Sequence, residues 1–137
     1  MRIVLDTNVL VSIALAHGGR FDAIWRSWRE ERFHVLACTE LLVEVDAVLA
    51  RPKLARHVGP DTRRDLVRDL TTLTYTVELE EPWPAFEDPD DRFLLALARE
   101  GSADALVTGD AALQALVQFG DTVILFPADF MRALEPE

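Results

Sequence analysis

MRIVLDTNVLVS, residues 1 to 12, is the stretch from which the fold of this chain can be read. Ile3, Val4 and Leu5 form an apolar run without polar alternation, the pattern of a strand buried on both faces. Asp6, Thr7 and Asn8 end that run abruptly, and a second apolar stretch, Val9 to Ala16, follows. Val9, Leu10, Ile13 and Ala14 have helical spacing, closed by Gly18-Gly19. A carboxylate placed where a buried strand opens into a helix lies at the sheet edge where α/β proteins bind ligands. Asp6 is therefore read as one wall of an acidic, metal-binding active site, and the rest of the chain must supply the others.

With 137 residues the chain is expected to form one domain, 1–137, with a core of its own. Half of the residues are apolar and 28% are charged, a globular balance rather than a disordered one. The apolar runs fall far short of a membrane span and the N-terminus lacks a signal-peptide layout, so a cytoplasmic protein without a membrane partner is expected. Cys38 is the lone cysteine, and His17, His34 and His57 are scattered without ligand-like spacing. An intramolecular disulfide and a thiolate metal cluster are excluded on that basis, and a His/Cys zinc site is not expected.

The net charge is −10, from 24 acidic and 14 basic residues, which taken alone argues against a nucleic-acid partner. The distribution is less hostile. Arg51, Lys53, Arg56, Arg63, Arg64 and Arg68 fall in one stretch whose acids are Asp61 and Asp65. Glu78 to Asp91, by contrast, carries seven acids and no base. Each run is also what a solvated surface looks like.

Beyond the first helix, Phe21, Ile24, Trp25 and Trp28 repeat at helical spacing, and their aromatic stripe reads as core. Phe33 to Ala37 reads as a strand, with Thr39 as the cap of a helix from Glu40 to Ala50. On that helix Leu41, Leu42, Val45, Val48 and Leu49 make one stripe. Glu44 and Asp46 lie on its two flanks and Glu40 points away; spacing does not choose between the flanking acids. Pro52 stops the helix, and the basic stretch follows as one or two short helices ending near Leu73. Thr74 to Leu79 reads as a strand, and Pro82, Trp83, Pro84 and Pro89 mark an extended loop. A helix with Phe93, Leu94, Leu97 and Ala98 comes next, then a buried strand at Ala105–Val107 closed by Thr108-Gly109-Asp110. Leu113 and Leu116-Val117 read as a short helix, Val123 to Phe126 as the last strand, and Pro127 as the start of a helix through Leu134. Strands alternating with helices imply an α/β fold with a central, mainly parallel sheet covered on both faces.

In such a sheet the residues just after the parallel strands converge. Asp6 follows the first strand, Asp110 follows Val107, and Asp88, Asp90 and Asp91 open the helix after the third strand. Glu44 comes from the helix after the second. Taken singly, each acid is explained as a helix cap or a dipole partner. Capping alone leaves unexplained why every junction on one edge carries an acid. Clustered carboxylates repel unless a cation neutralises them, and oxygen-only ligands select Mg²⁺ or Mn²⁺. Such an ion binds a phosphate oxygen and lowers the pKa of an attacking water, and it supplies positive charge to an acidic surface. Phosphodiester hydrolysis is the reaction that fits.

These residues resemble the PIN-domain family of nucleases, and within it the bacterial toxins of toxin–antitoxin pairs, known as VapC-like. The matching segments are Val4 to Ser12, Leu41-Leu42-Val43-Glu44-Val45 with Arg51-Pro52-Lys53-Leu54, Asp88-Pro89-Asp90-Asp91 before Phe93-Leu94, and Ala103 to Asp110. Pro127-Ala128-Asp129-Phe130 is similar to the family's closing segment. The resemblance implies a three-layer α/β/α sandwich and a Mg²⁺-dependent ribonuclease site with Asp6, Glu44, Asp91 and Asp110 as the acidic quartet. It favours Glu44 over Asp46, and Asp91 over Asp90 from its interval before Ala98. Asp6, Asp91 and Asp110 would hold the main Mg²⁺ (or Mn²⁺), and Glu44 would orient the attacking water or help hold a second ion. Thr7, Asn8 and Thr108, with Asp90 nearby, would orient carboxylates or water. Arg51, Lys53, Arg56, Arg63 and Arg64 would guide the RNA backbone. A homodimer silenced by a cognate antitoxin protein is the implied assembly.

Two other chemistries meet obstacles in the sequence. An aspartyl-phosphate phosphatase or a receiver-like phosphoacceptor would want a lysine at a strand end, and the one lysine, Lys53, follows a helix; the phosphatase would also want an Asp where Asn8 stands. Dinucleotide binding has no glycine fingerprint. A PIN-like fold kept only as a partner-binding module is the non-enzymatic alternative.

Overall fold

The computed structural model describes residues 1–15, 19 and 21–135. β1 (Arg2–Leu5) lies inside the sheet because Ile3, Val4 and Leu5 have no exposed surface at all. Six strands line up in the order β3-β2-β1-β4-β6-β5. Here β2 is His34–Ala37, β3 Thr74–Thr76, β4 Ala105–Val107, β5 Gln118–Phe119 and β6 Thr122–Leu125. Every pairing is parallel except β5 with β6. In register, Ile3 stands between Val35 of β2 and Ala105 of β4, and Leu5 opposite Val107.

The chain winds outward from β1 through β2 to β3, then returns to the other side of β1 as β4. The strand order thus reverses between β1 and β4. The crevice beyond their carboxyl ends is a topological switch point, the place where open parallel sheets bind ligands.

Eight helices among the described residues cover the sheet: α1 (Thr7–Leu15), α2 (Asp22–Arg29), α3 (Thr39–Leu49), α4 (Pro52–Ala55), α5 (Pro60–Thr72), α6 (Arg92–Glu100), α7 (Ala111–Gln114) and α8 (Pro127–Leu134). α1, α3 and α5 pack on one another, α6 lies against β1, and α2 meets α8. None is long and apolar enough to cross a membrane. The aromatic stripe of α2 is core, as its periodicity predicts, with Trp25 and Trp28 buried. Their indole N–H groups donate across to Asp69 Oδ2 and the Leu73 carbonyl, each at 2.8 Å. The Arg29 guanidinium also reaches Asp69 Oδ2 at 2.8 Å and stacks over the Trp25 ring, so α2 and α5 are joined by a buried polar brace. Gly101, after α6, is required by packing. A Cβ there would lie 2.6 Å from Cδ1 of the fully buried Leu36.

Several local expectations are corrected. Cys38, not Thr39, holds the cap position of α3, and Thr39 is already helical. Glu40 is half-buried rather than pointing away. β3 stops at Thr76 because its partner β2 ends at Ala37; one more bond, from the Val77 N–H to the Ala37 carbonyl at 2.7 Å, closes the pairing. The alternation through Leu79 reports burial without strand pairing, since Val77 and Leu79 are half-buried and Glu78 and Glu80 exposed. α7 ends before Leu116-Val117: Val117 takes a φ of 61°, both side chains are exposed, and the chain turns back as the antiparallel strand β5. Of the expected stop at Gly18-Gly19, Gly18 lies outside the described residues, as do Ala16 and His17.

Candidate active site

The crevice between β1 and β4 is built from the residues that end those strands. The Asp6 N–H bonds to the Val107 carbonyl at 3.0 Å, extending the β1–β4 ladder by one residue. The Asp6 carbonyl then accepts from the Val9 and Leu10 N–H groups and starts α1. The Asp6 carboxylate is thereby pinned at the edge, 5% exposed.

Two threonine hydroxyls position carboxylates. Thr108, fully buried, donates to Asp6 Oδ2 at 2.6 Å, and its oxygen accepts from the Asp110 N–H at 3.0 Å. One hydroxyl therefore ties Asp6 to the main chain of Asp110. Thr7 donates to Glu44 Oε2 at 2.5 Å, linking the first turn of α1 to α3. Glu44 is half-buried, whereas Asp46 is exposed and paired with Arg63 at 2.9 Å. Asn8 contributes its main-chain N–H to the Asp6 carboxylate while its side chain is exposed.

Capping and clustering coexist. The Asp110 carboxylate accepts from the Leu113 N–H at 3.2 Å, and Asp88 accepts from the Asp90 N–H at 3.0 Å. Asp90 is exposed; Asp91 is the half-buried member of the pair and accepts no capping hydrogen bond.

The electrostatics bring the four segments together. The Asp91 carboxyl is pushed up to about 6, first by burial and then by the charges of Asp6, Asp88, Asp110 and Glu44. Burial also raises Asp6, and Glu44 adds to that rise. The hydrogen bonds from Thr108 and from the Asn8 and Thr7 main chain oppose it. Among the described residues no three of these acids are drawn together closely enough to enclose one ion. The donor set nevertheless fits a hard divalent cation: every donor is oxygen, and the Asp91 carboxylate is half-buried, unpaired and repelled by its neighbours.

The basic stretch is partly neutralised. Arg63 pairs with Asp46, Arg64 with Asp61 at 2.6 Å, and Arg68 with Asp65 at 3.4 Å. Arg51, Lys53 and Arg56 are exposed and have no acidic partner among the described residues. Arg63 and Arg64 also rim a groove of about 390 Å³ over Leu49, Val58 and Val67, which includes none of the four acids. One polar contact escaped the sequence reading: Gln114, four residues after Asp110, donates to the Thr108 carbonyl at 2.8 Å. No local pattern signals it, since its acceptor is a main-chain carbonyl six residues back, before the start of α7.

A family model described as PIN domain matches residues 2–112. No curated protein matches the sequence. Among solved structures, the PIN domain of human SMG5 superposes with a TM-score of 0.54 at 16% identity, over 98% of this chain and 100% of that one, a likeness of fold. With its strand order, its switch-point acids and a match over most of its length, this chain belongs to the PIN domain family.

Proposed function

We propose that this chain is a Mg²⁺-dependent endoribonuclease hydrolysing RNA phosphodiester bonds, and that it serves as the toxin of a toxin–antitoxin pair. PIN domains are generally nucleases that bind RNA and use divalent metals. The observation that carries the reading for this chain is the pair of threonine hydroxyls that hold Asp6 at 2.6 Å and Glu44 at 2.5 Å beside Asp91, whose carboxyl is raised first by burial and then by the charges of Asp6, Asp88, Asp110 and Glu44. Four acids from four segments, two of them held by threonine hydroxyls at a switch point, are an arrangement that folding alone does not call for.

In this reading Asp6, Asp91 and Asp110 hold the ion, Mg²⁺ or Mn²⁺. When bound, it polarises a phosphate oxygen and lowers the pKa of an attacking water. Thr108 keeps Asp6 oriented through its 2.6 Å bond, and Thr7 does the same for Glu44. Glu44, held from one oxygen, turns the other toward the attacking water. Arg51, Lys53 and Arg56 offer the unpaired charge along which an RNA backbone runs, with Arg63 and Arg64 available once Asp46 and Asp61 release them. A cognate antitoxin, a homodimer and a cytoplasmic site of action complete the toxin reading.

RNA cleavage with and without chelator tests it, comparing wild type with Asp6→Asn and Asp91→Asn. Cleavage by wild type that chelator stops is expected; normal cleavage by either variant in Mg²⁺ would sink the assignment. For the toxin role, expression should arrest growth, and co-expression of a small open reading frame directly upstream should relieve it. The second reading, a partner-binding module with a dead site, is favoured by the absence of three enclosing acids among the described residues and by the apolar groove between α3 and α5. Such a module would show no Mg²⁺- or Mn²⁺-dependent stabilisation.

A further inference from the structure

We propose that a small cavity beside Asp6 and Asp110 is a nucleobase pocket that selects which RNA position is cut, an inference that rests on the nuclease reading. Its volume is about 170 Å³, and Asn8, Val9, Ser12, Phe21, Gly109 and Pro127 line it. Asn8 stands two residues after Asp6, and Gly109 stands one before Asp110. At about 3.8 Å per residue step, the pocket wall begins within roughly 8 Å of main chain from both acids. A nucleotide flanking the scissile phosphate falls in that range.

The lining suits a base and not a phosphate. Among the described residues no lysine or arginine lines it, and the adjoining edge is acidic, which disfavours an anion. Val9, Phe21 and Pro127 supply apolar walls for the faces of a planar ring. The Asn8 side-chain amide is exposed and has no hydrogen-bond partner among the described residues. It carries a donor and an acceptor side by side, the complement of an adenine edge. The Ser12 hydroxyl adds a second polar contact.

Gly109 keeps the space open. A Cβ built on it meets nothing within 4 Å, and its backbone is not left-handed, so neither packing nor turn geometry demands glycine there. What a side chain would change is the room in the cavity. At the same edge, where β6 ends, Phe126 is 48% exposed and offers a stacking surface for a neighbouring base.

The test uses ¹⁵N-labelled chain without metal, titrated with the four neutral nucleosides and read by NMR shifts. Shifts should centre on the Asn8 side-chain amide, Ser12 and Gly109, with adenosine the tightest binder. Asn8→Ala should weaken adenosine about ten-fold, and Gly109→Leu should abolish binding, their spectra showing that both variants are folded. Shifts confined to α4 and α5, equal binding by all four nucleosides, or none at all would overturn the pocket whether or not the chain cuts RNA. In a parallel arm, cleavage sites on a randomised RNA are mapped for wild type and both variants. An unchanged site preference overturns the proposal; absence of cleavage by wild type overturns the nuclease reading while the titration still decides the pocket.

Discussion

Replacing Asp91 by asparagine should make the protein more stable while removing the proposed nuclease activity. The carboxyl is raised from its ordinary 3.8 to about 6, so ionising it in the folded state opposes folding. A rise of that size corresponds to about 3 kcal/mol without screening. The side chain is only half-buried, and solvent screening reduces that to about 1.5 kcal/mol. Asparagine also forfeits the attraction of the negative charge to the start of α6, about 0.5 kcal/mol, but no capping hydrogen bond is lost. The net gain is about 1 kcal/mol at neutral pH. The pH dependence follows from the direction in which the carboxyl is moved. Wild type is penalised above about pH 6 and relieved as pH falls toward 3.8, so the gain is full at about pH 7.5, roughly halved at about pH 5, and gone below 3.8. Urea denaturation at those pH values, with the chelator present, measures it. Adding Mg²⁺ should then raise the wild type and leave the variant where it was. An Asp91→Asn protein no more stable than wild type at about pH 7.5, or a gain that does not shrink on acidification, would refute the electrostatic account of the site.

Other perturbations have equally definite outcomes. Thr108→Val removes the donor to Asp6 and the acceptor for the Asp110 N–H; it should cost about 2 kcal/mol by denaturation and weaken Mg²⁺ binding by about ten-fold or more in a thermal-shift titration. Asp69→Ala strands the Trp25 indole and the Arg29 guanidinium, and should lower unfolding free energy by about 3 kcal/mol without touching metal binding. Gly101→Ala drives a Cβ against Leu36 and should destabilise by about 1–3 kcal/mol, again with the metal response intact. Any of these three leaving the urea midpoint unchanged contradicts the contact it removes or creates.

Much of the fold was legible because its signals are local. The unbroken run Ile3-Val4-Leu5 marks a strand covered on both faces, and the Phe21–Trp28 spacing marks a helix face. Pro127 marks the start of a helix, since its fixed φ and missing N–H suit a first helical turn. Asp88 and Asp110 are caps, as their positions before Pro89 and Ala111 suggest. Elements that depend on a distant partner leave no such local signal. Thr74 to Leu79 alternates for six residues yet pairs for three, because β2 ends at Ala37, opposite Thr76. β5 exists because Val117 turns the chain back onto β6, a long-range outcome for which no residue in Gln118-Phe119 speaks. Within the basic stretch the sequence shows Asp61 and Asp65 as neighbouring acids, but not that Asp46, a helix away, claims Arg63.

The same division runs through the site. The types and order of the residues are written in the chain, and for Asp88 and Asp110 the local reason is that each caps the helix that follows it. Which acids share one field is not written there. Thr108 reaches Asp6 across 102 residues, and Thr7 reaches Glu44 across 37. The Asp91 carboxyl is raised first by its burial and then by the charges of Asp6, Asp88, Asp110 and Glu44, and both depend on the tertiary packing. Capping is decided within a turn of chain, whereas repulsion between carboxylates depends on distances that packing alone sets.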